Sequence, residues 1–131
     1  MPEPTEAVIM VTADDEQRRS RNMGEVVAAT KETFRDLISE GLVLVDVWGP
    51  DCRPCLALMP EVERLAGERP ELGVVKLEAP TARRLCMELR VMGLPAFVLF
   101  RDGDEVSRIN GADITPAKLE AWLDESTPST S

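Results

Sequence analysis

Short apolar runs divide the chain into candidate strands. Strands that are buried on both faces of a sheet are apolar along nearly their whole length, and LVLVDVW and VVKLEA fit that description. A further run, EVSRI, follows the turn residues RDGDE, which is the pattern of a hairpin. The runs that predict strands are VVAA, LVLVDVW, VVKLEA, AFVLF and EVSRI, which begin at residues 26, 42, 74, 96 and 105.

Helical spacing predicts a helix after the first, second and third of these runs, and one at the end of the chain. In the first helix Thr30 is the predicted N-cap, Phe34, Leu37 and Ile38 share one face, and Gly41 ends the helix. The second is predicted at residues 52–66, with an inward face made of Leu56, Met59, Val62, Leu65 and Ala66.

The third and fourth helices have shorter apolar faces. The third is predicted at residues 81–90, where Leu85 and Leu89 lie on one side together with Cys86, a predicted small buried side chain. Thr115 is the predicted cap of the fourth, with Pro116 in its first position. The inward residues of this last helix are Leu119, Trp122 and Leu123.

The predicted order of elements is βαβαβαββα, which places the chain in the α/β class. Two βαβ units imply parallel strands at the centre of a mixed sheet, with helices on both faces. The final hairpin adds an antiparallel edge. We expect one domain at residues 25–125, because 131 residues suffice for a single core.

The ends of the chain lack a sustained apolar period. Residues 1–24 contain two prolines, a DDE run and an RRSR run, and are predicted to be a flexible extension. The alternative is that AVIMV, at residues 7–11, forms a short element resting on the domain. Residues 126–131 are predicted to be a flexible tail.

Composition and charge narrow the possible partners. Hydrophobic residues make up 44% of the chain, charged residues 30%, and the net charge is -9. Nucleic acids and anionic membranes attract clustered Lys and Arg, so neither is an expected partner. No apolar run approaches the roughly 20 residues that span a bilayer, and the acidic N-terminal sequence does not resemble a secretory signal. These features favour the cytoplasm.

The cysteine count constrains the chemistry. The chain has three cysteines and no histidine. A tetrahedral zinc site made of Cys and His needs four ligands, so a complete site of that kind within one chain is excluded, and no metal or cofactor is expected. A structural disulfide between Cys52 and Cys55 would close a very small loop and add little stability. The hypothesis that remains is redox chemistry at the CRPC sequence.

The position of CRPC supports that hypothesis. Cys52 follows a buried strand and opens a helix, where backbone N–H groups and the helix dipole favour a thiolate over a thiol. Cys55 lies one helical turn further on, close enough to form a disulfide with Cys52. Pro54 falls in the first turn, where its missing N–H costs little.

Several spaced segments give a resemblance to a known family. Across residues 26–125, VLVDVWGPDCRPC is similar to the thioredoxin active-site segment, usually VDFWAxWCGPC, and GLPAFVLFRDG is similar to GIPTxxxFxxG. VSRINGA resembles the glycine-containing segment of the family's substrate groove, and Pro60 matches the proline inside the active-site helix. The resemblance implies a thioredoxin fold.

The resemblance also implies roles for individual residues. Cys52 would attack a disulfide and Cys55 would resolve the intermediate, with the Cys52–Cys55 disulfide as the only redox group. Asp46 would be a buried carboxylate that exchanges a proton with Cys55, its pKa raised by burial, and Lys76 would lie near it. A structural ion pair of Asp46 with Lys76 is the alternative. The residues expected to contact substrate are Trp48, Arg53, Pro54, Leu94, Pro95 (as a cis-proline), Gly111 and Ala112.

The sequence departs from the family at three positions near the site. Asp51 stands where the family has tryptophan, Arg53 where it has glycine, and Ala96 where it has threonine. We expect these positions to lie on the substrate-facing surface and to change the choice of partner.

The predicted function is that of a thiol–disulfide oxidoreductase that reduces protein disulfides and carries electrons between proteins. The sequence contains no nucleotide-binding motif, so an external reductase is expected to recharge a monomeric chain. Two alternatives remain open: a dithiol oxidant or isomerase, and an adaptor that binds one partner without needing redox turnover.

Overall fold

A computed structural model describes residues 24–127 of the chain. The elements, in chain order, are β1 Val26–Ala29, α1 Phe34–Leu37, β2 Leu42–Trp48, α2 Arg53–Glu68, β3 Gly73–Glu78, a short 3-10 helix Ala79–Thr81, α3 Arg83–Glu88, β4 Ala96–Arg101, β5 Asp104–Asn110 and α4 Pro116–Ser126. Apart from the 3-10 helix, this order confirms the predicted βαβαβαββα arrangement.

The five strands form one open mixed sheet in the order β1-β3-β2-β4-β5. β3 pairs in parallel with both β1 and β2, whereas β4 is antiparallel to β2 and β5 is antiparallel to β4. The predicted parallel centre and antiparallel hairpin edge are therefore confirmed. Because Val47 near the end of β2 pairs with Ala96 at the start of β4, the segments after β2 and before β4 meet at one edge of the sheet.

The core has two layers, one on each side of the sheet. Val43, Val45 and Val47 of β2 face the layer that contains Phe34 and Leu37 of α1 and Leu85 of α3. Leu44 of β2 faces the other layer, which contains Leu58, Val62 and Leu65 of α2 and Leu119 and Leu123 of α4. The alternation of side chains along a strand explains why an almost wholly apolar β2 serves both layers.

The cap of the last helix confirms a local prediction. The hydroxyl of Thr115 accepts a hydrogen bond from the backbone N–H of Lys118 at 3.1 Å, and Pro116 is the first helical residue. Such a cap stabilises a helix by about 1 kcal/mol.

The prediction for the first helix is wrong about its length. The hydroxyl of Thr30 accepts from the N–H of Glu32 and of Thr33, each at 3.2 Å, so these residues form a turn. The helix that follows spans only Phe34–Leu37. Gly41 lies beyond that helix, with φ of +75°, and its N–H donates to a carboxylate oxygen of Asp102 at 2.8 Å. The carbonyl of Thr30 accepts from the N–H of Phe34 at 3.0 Å, so the hydroxyl and the carbonyl of Thr30 together hold one turn that precedes the regular helix.

The inward face of α2 is also displaced from the prediction. Leu56 is 45% exposed, whereas Cys55 and Leu58 are buried. Each residue of a helix is turned by about 100° from the one before it, so burial of Cys55 turns Leu56 toward solvent. Val62, Leu65 and Ala66 are buried as predicted.

Some predictions concern residues beyond the described range. The AVIMV segment and the rest of residues 1–23 lie outside it, as do residues 128–131. Among the helices of residues 24–127, none has the length and apolar character needed to cross a membrane.

Candidate active site

The two cysteines of CRPC form a disulfide at the start of α2. Their Cα atoms are 5.3 Å apart. Cys52 is the N-cap of the helix, and its Sγ accepts a hydrogen bond from the backbone N–H of Cys55 at 3.2 Å. Cys52 is partly exposed, whereas Cys55 is only 1% exposed. The pair therefore presents one accessible sulfur and one covered sulfur.

The backbone around Cys52 favours a negative charge on its sulfur. A turn sets the direction of the chain here, in which the N–H of Cys52 donates to the carbonyl of Gly49 at 3.1 Å. Pro54 occupies the first turn of α2, where it removes no helical hydrogen bond. The Cys52 Sγ lies at the positive end of a 16-residue helix, which stabilises a thiolate.

Asp46 is a charged residue buried in the core. It is 1% exposed, and within the described residues neither carboxylate oxygen has a hydrogen-bond partner. Burial raises the pKa of Asp46 to about 7, and the positive charge of Lys76 opposes this rise. Asp46 lies on the same face of β2 as Leu44, which packs beneath α2, and Cys55 lies on the side of α2 that faces the sheet. Desolvation thus leaves the carboxyl group of Asp46 partly protonated near neutral pH.

Lys76 and Trp48 form a neighbouring pair. Lys76 is the partner of Asp46 in the register of β2 and β3. Its Nζ lies 5.7 Å from the ring centroid of Trp48, which is within the range of a cation–π interaction. Trp48 is half-buried at the end of β2.

The segment before β4 lies close to the turn that carries Cys52. The Leu94–Pro95 peptide bond is cis, as the resemblance implied. The N–H of Gly111 donates to the carbonyl of Pro95 at 3.1 Å, which joins these two predicted site residues. Gly111 has φ of +133°, and a Cβ there would lie 2.8 Å from a carboxylate oxygen of Asp113, so a larger residue would strain this segment.

Gly49 is a site residue that the sequence analysis missed. It is buried, and a Cβ placed on it would lie 3.3 Å from Cδ1 of Leu94 and 4.0 Å from Cβ of Cys52. This glycine therefore lets Leu94 approach the turn that carries Cys52. The available signal was the motif comparison, in which Gly49 stands where the family motif has alanine.

The remaining predicted positions differ in exposure. Arg53, Asp51 and Ala112 are exposed, so they are accessible to a partner. Ala96 is 3% exposed and packs in the core layer under α1 and α3, so its predicted place on the substrate-facing surface is wrong. Ala96 is the first residue of β4, which pairs with β2, and the helices on this face of the sheet cover it.

The third cysteine is not part of the disulfide. Cys86 is 8% exposed on α3, as predicted, and burial raises the pKa of its thiol. Within residues 24–127, His, Cys, Asp and Glu form no group of three or more with a geometry suited to a metal ion.

Comparison with known proteins gives a consistent family match. The family model described as Thioredoxin matches residues 25–125. A thioredoxin from Acetoanaerobium sticklandii is 38% identical over 98 residues, covering 71% of this chain and 91% of that protein. A bifunctional thioredoxin reductase/thioredoxin from Mycobacterium leprae is 36% identical over 108 residues, covering 80% of this chain and 24% of that protein.

The solved structures agree with the sequence matches. A mutant thioredoxin from Halobacterium salinarum superimposes with a TM-score of 0.72 at 27% identity, covering 82% of this chain and 96% of that one. The mixed five-stranded sheet and its helices are therefore those of the fold that the resemblance implied.

Proposed function

The chain belongs to the thioredoxin family, and from that premise we propose that it reduces protein disulfides, with Cys52 as the attacking cysteine and Cys55 as the resolving one. Family membership and the Cys52–Cys55 disulfide make it a thiol–disulfide oxidoreductase. The difference in exposure carries the assignment of roles, because a protein substrate can reach the sulfur of Cys52 but not that of Cys55.

The proposed reaction has two exchange steps. The Cys52 thiolate attacks one sulfur of the substrate disulfide, forming a mixed disulfide and releasing the other substrate sulfur as a thiolate that takes up a proton. The Cys55 thiolate then attacks the sulfur of Cys52, which forms the Cys52–Cys55 disulfide and releases the second substrate sulfur as a thiolate that takes up a proton. Two electrons pass from the chain to the substrate.

Asp46 is proposed to take the proton of Cys55 before the second step. Its support is the position of the carboxyl group between β2 and α2, its unpartnered oxygens, and a pKa of about 7. A base with that pKa is half ionised at neutral pH, which suits it both to accept and to return a proton. Lys76 would lower the pKa of Asp46 through its positive charge.

The substrate is proposed to lie across the segments that meet at the disulfide. Leu94 is partly exposed beside the turn of Cys52 and would offer its backbone to an extended substrate. Pro95 and Gly111, joined by their hydrogen bond, would hold that backbone in place. The other residues proposed to contact substrate are Trp48, Arg53, Pro54 and Ala112.

An external reductase is proposed to recharge the disulfide. The Mycobacterium leprae relative is named as both a thioredoxin reductase and a thioredoxin, which supports a partner of this kind. We also propose a reducing compartment such as the cytoplasm, because Cys86 is an unpaired thiol and unpaired thiols persist in reducing compartments.

Reduction of insulin by the full-length chain in the presence of dithiothreitol tests the proposal. Cys52→Ser should abolish activity, whereas Cys55→Ser should accumulate a mixed disulfide that mass spectrometry detects. Substantial insulin reduction by Cys52→Ser would reject the proposed mechanism. Equilibration with glutathione buffers then distinguishes a reductant from an oxidant or isomerase by the reduction potential.

A further inference from the structure

A shallow apolar groove begins next to the disulfide. Its volume is about 430 Å³, and its lining includes Pro80, Cys86, Met87, Val91 and Leu94. Met87 is 76% exposed, an unusual exposure for so large an apolar side chain. Because Leu94 and Pro80 both pack around Gly49, the groove begins at the turn that carries Cys52.

A second cleft continues this groove and is rich in positive charge. Its volume is about 640 Å³, and it shares Pro80 and Arg83 with the groove. The charged residues of this arginine cleft are Lys31, Glu32, Arg35, Arg83, Arg84 and Glu88.

The charge of the arginine cleft is opposite to that of the whole chain. Arg35 and Glu88 form an ion pair at 3.2 Å, which leaves three cations, on Lys31, Arg83 and Arg84, with Glu32 as the opposing carboxylate. These side chains are exposed. A cationic cleft on a chain of net charge -9 is a local feature that favours an anionic ligand.

We propose that the groove and the arginine cleft together bind the polypeptide that flanks the reacting cysteine of the substrate. Apolar side chains near that cysteine would contact Met87 and Leu94, and Asp or Glu residues further along would contact Arg83 and Arg84. The inference rests on the proposed function. Because the groove and the cleft are continuous with the turn that carries Cys52, one substrate chain could place its disulfide at Cys52 and its acidic residues in the cleft. The preferred substrates are therefore proteins whose reactive cysteine is followed or preceded by an acidic segment.

Three peptides that differ only in charge test this proposal. Each carries one cysteine, flanked by apolar residues and joined by a disulfide to a chromophoric thiol, with four Asp, four Asn or four Lys placed beyond the apolar residues on both sides. The pre-reduced full-length chain transfers two electrons, releasing the peptide thiol and the coloured thiol. At low salt, kcat/KM should be about three- to tenfold higher for the Asp peptide than for the Asn peptide, and lower again for the Lys peptide. The three rates should converge in 0.5 M NaCl.

Single variants test whether the arginines of the cleft recognise the charge of the peptides. Arg83→Gln and Arg84→Gln, studied separately, should each at least halve the ratio of the Asp rate to the Asn rate. Arg101→Gln is the matched control, because Arg101 is exposed at the other end of β4 from Pro95 and should leave the ratio unchanged. Melting temperatures show that each variant is folded.

The outcomes separate this inference from the proposed function. Equal rates for the three peptides, with the Asn peptide reduced, would overturn the inference alone, and would be the result if residues 1–23 or a second copy of the chain filled the cleft. An Asp preference that survives both Arg83→Gln and Arg84→Gln would overturn it too, because the charge would then be recognised elsewhere. If the chain reduces none of the peptides, both the inference and the proposed function fail.

Discussion

Asp46 and Lys76 are partners in the register of β2 and β3, yet no hydrogen bond within residues 24–127 reaches either carboxylate oxygen of Asp46. The ammonium group of Lys76 lies instead over the ring of Trp48, 5.7 Å from its centroid. Desolvation of Asp46 is therefore stronger than the attraction to Lys76, and the pKa of Asp46 rises to about 7. A carboxylate that formed a tight ion pair with a lysine would have a lowered pKa.

The first prediction concerns stability and pH. Between the unfolded value of 3.8 and about 7, the folded state holds the Asp46 proton while the unfolded state has lost it. The stability that this proton confers is complete below about pH 4 and is lost as pH rises through 7. Urea denaturation of the oxidised chain gives the unfolding free energy. The value for Asp46→Asn minus the value for the unsubstituted chain should increase by about 2 to 4 kcal/mol as the pH rises from 4.5 to 8. A difference in unfolding free energy that is constant over this range would contradict the raised pKa.

The second prediction concerns the charge of Lys76. Because Lys76 lowers the pKa of Asp46, Lys76→Met should raise that pKa further and move the pH midpoint of mixed-disulfide resolution upward, by on the order of half to one unit. Stopped-flow measurement of resolution between pH 6 and 9 gives the midpoint. Lys118→Met, which removes an exposed lysine paired with Asp113, is the control and should not move it. An unchanged midpoint in Lys76→Met would favour a purely structural role for Lys76.

The third prediction concerns the reduction potential. Arg53 is exposed beside Cys52, and a cation there stabilises the thiolate and hence the reduced form. With Asp51 opposing it, the potential should lie modestly above approximately −270 mV and well below approximately −120 mV. Arg53→Gly should lower the potential by about 10 to 20 mV, and Asp51→Asn should raise it, as measured in glutathione buffers. An unchanged or higher potential in Arg53→Gly would assign Arg53 to partner recognition.

The fourth prediction concerns Cys86. Its thiol is 8% exposed and its pKa is raised by burial, so little thiolate is available at neutral pH. In the native oxidised chain, a bulky thiol reagent should label Cys86 at least tenfold more slowly than it labels the denatured chain. Cys86→Ala should retain insulin reduction and lose about 1 kcal/mol of stability. Rapid native labelling, or loss of activity in the variant, would show that Cys86 takes part in the chemistry.

The fifth prediction concerns the proposed extension. Residues 1–24 precede β1 and lack a sustained apolar period, so their removal should change the unfolding free energy by less than about 1 kcal/mol and leave insulin reduction nearly unchanged. Urea denaturation and the insulin assay on residues 25–131 measure both. A large fall in melting temperature would indicate that the AVIMV segment packs on the core.

Features whose causes lie within a few residues could be predicted from the sequence. The apolar run of β2, the cap at Thr115 and the spacing of Cys52 and Cys55 each depend on neighbours along the chain, and the structure confirms them. The cis bond before Pro95 has no such local signal and was predicted through the family resemblance. The prediction was wrong about where the first regular helix begins, because Thr30 holds a turn with its hydroxyl and its carbonyl and the helix starts only at Phe34.

The tertiary structure alone decided which segments meet and how deeply each group is buried. The pKa of Asp46 is set by the desolvation that the surrounding elements produce, and the contact of Gly49 with Leu94 joins residues 45 positions apart. The arginine cleft likewise combines Lys31, before α1, with Arg83 and Arg84 of α3. Desolvation and surface shape depend on distances between segments that are remote in sequence, whereas periodicity and capping depend on distances within one segment. The sequence by itself therefore determined the elements and the position of the cysteine pair, and the packing of those elements determined the burial that raises the pKa of Asp46 and the shape of the arginine cleft.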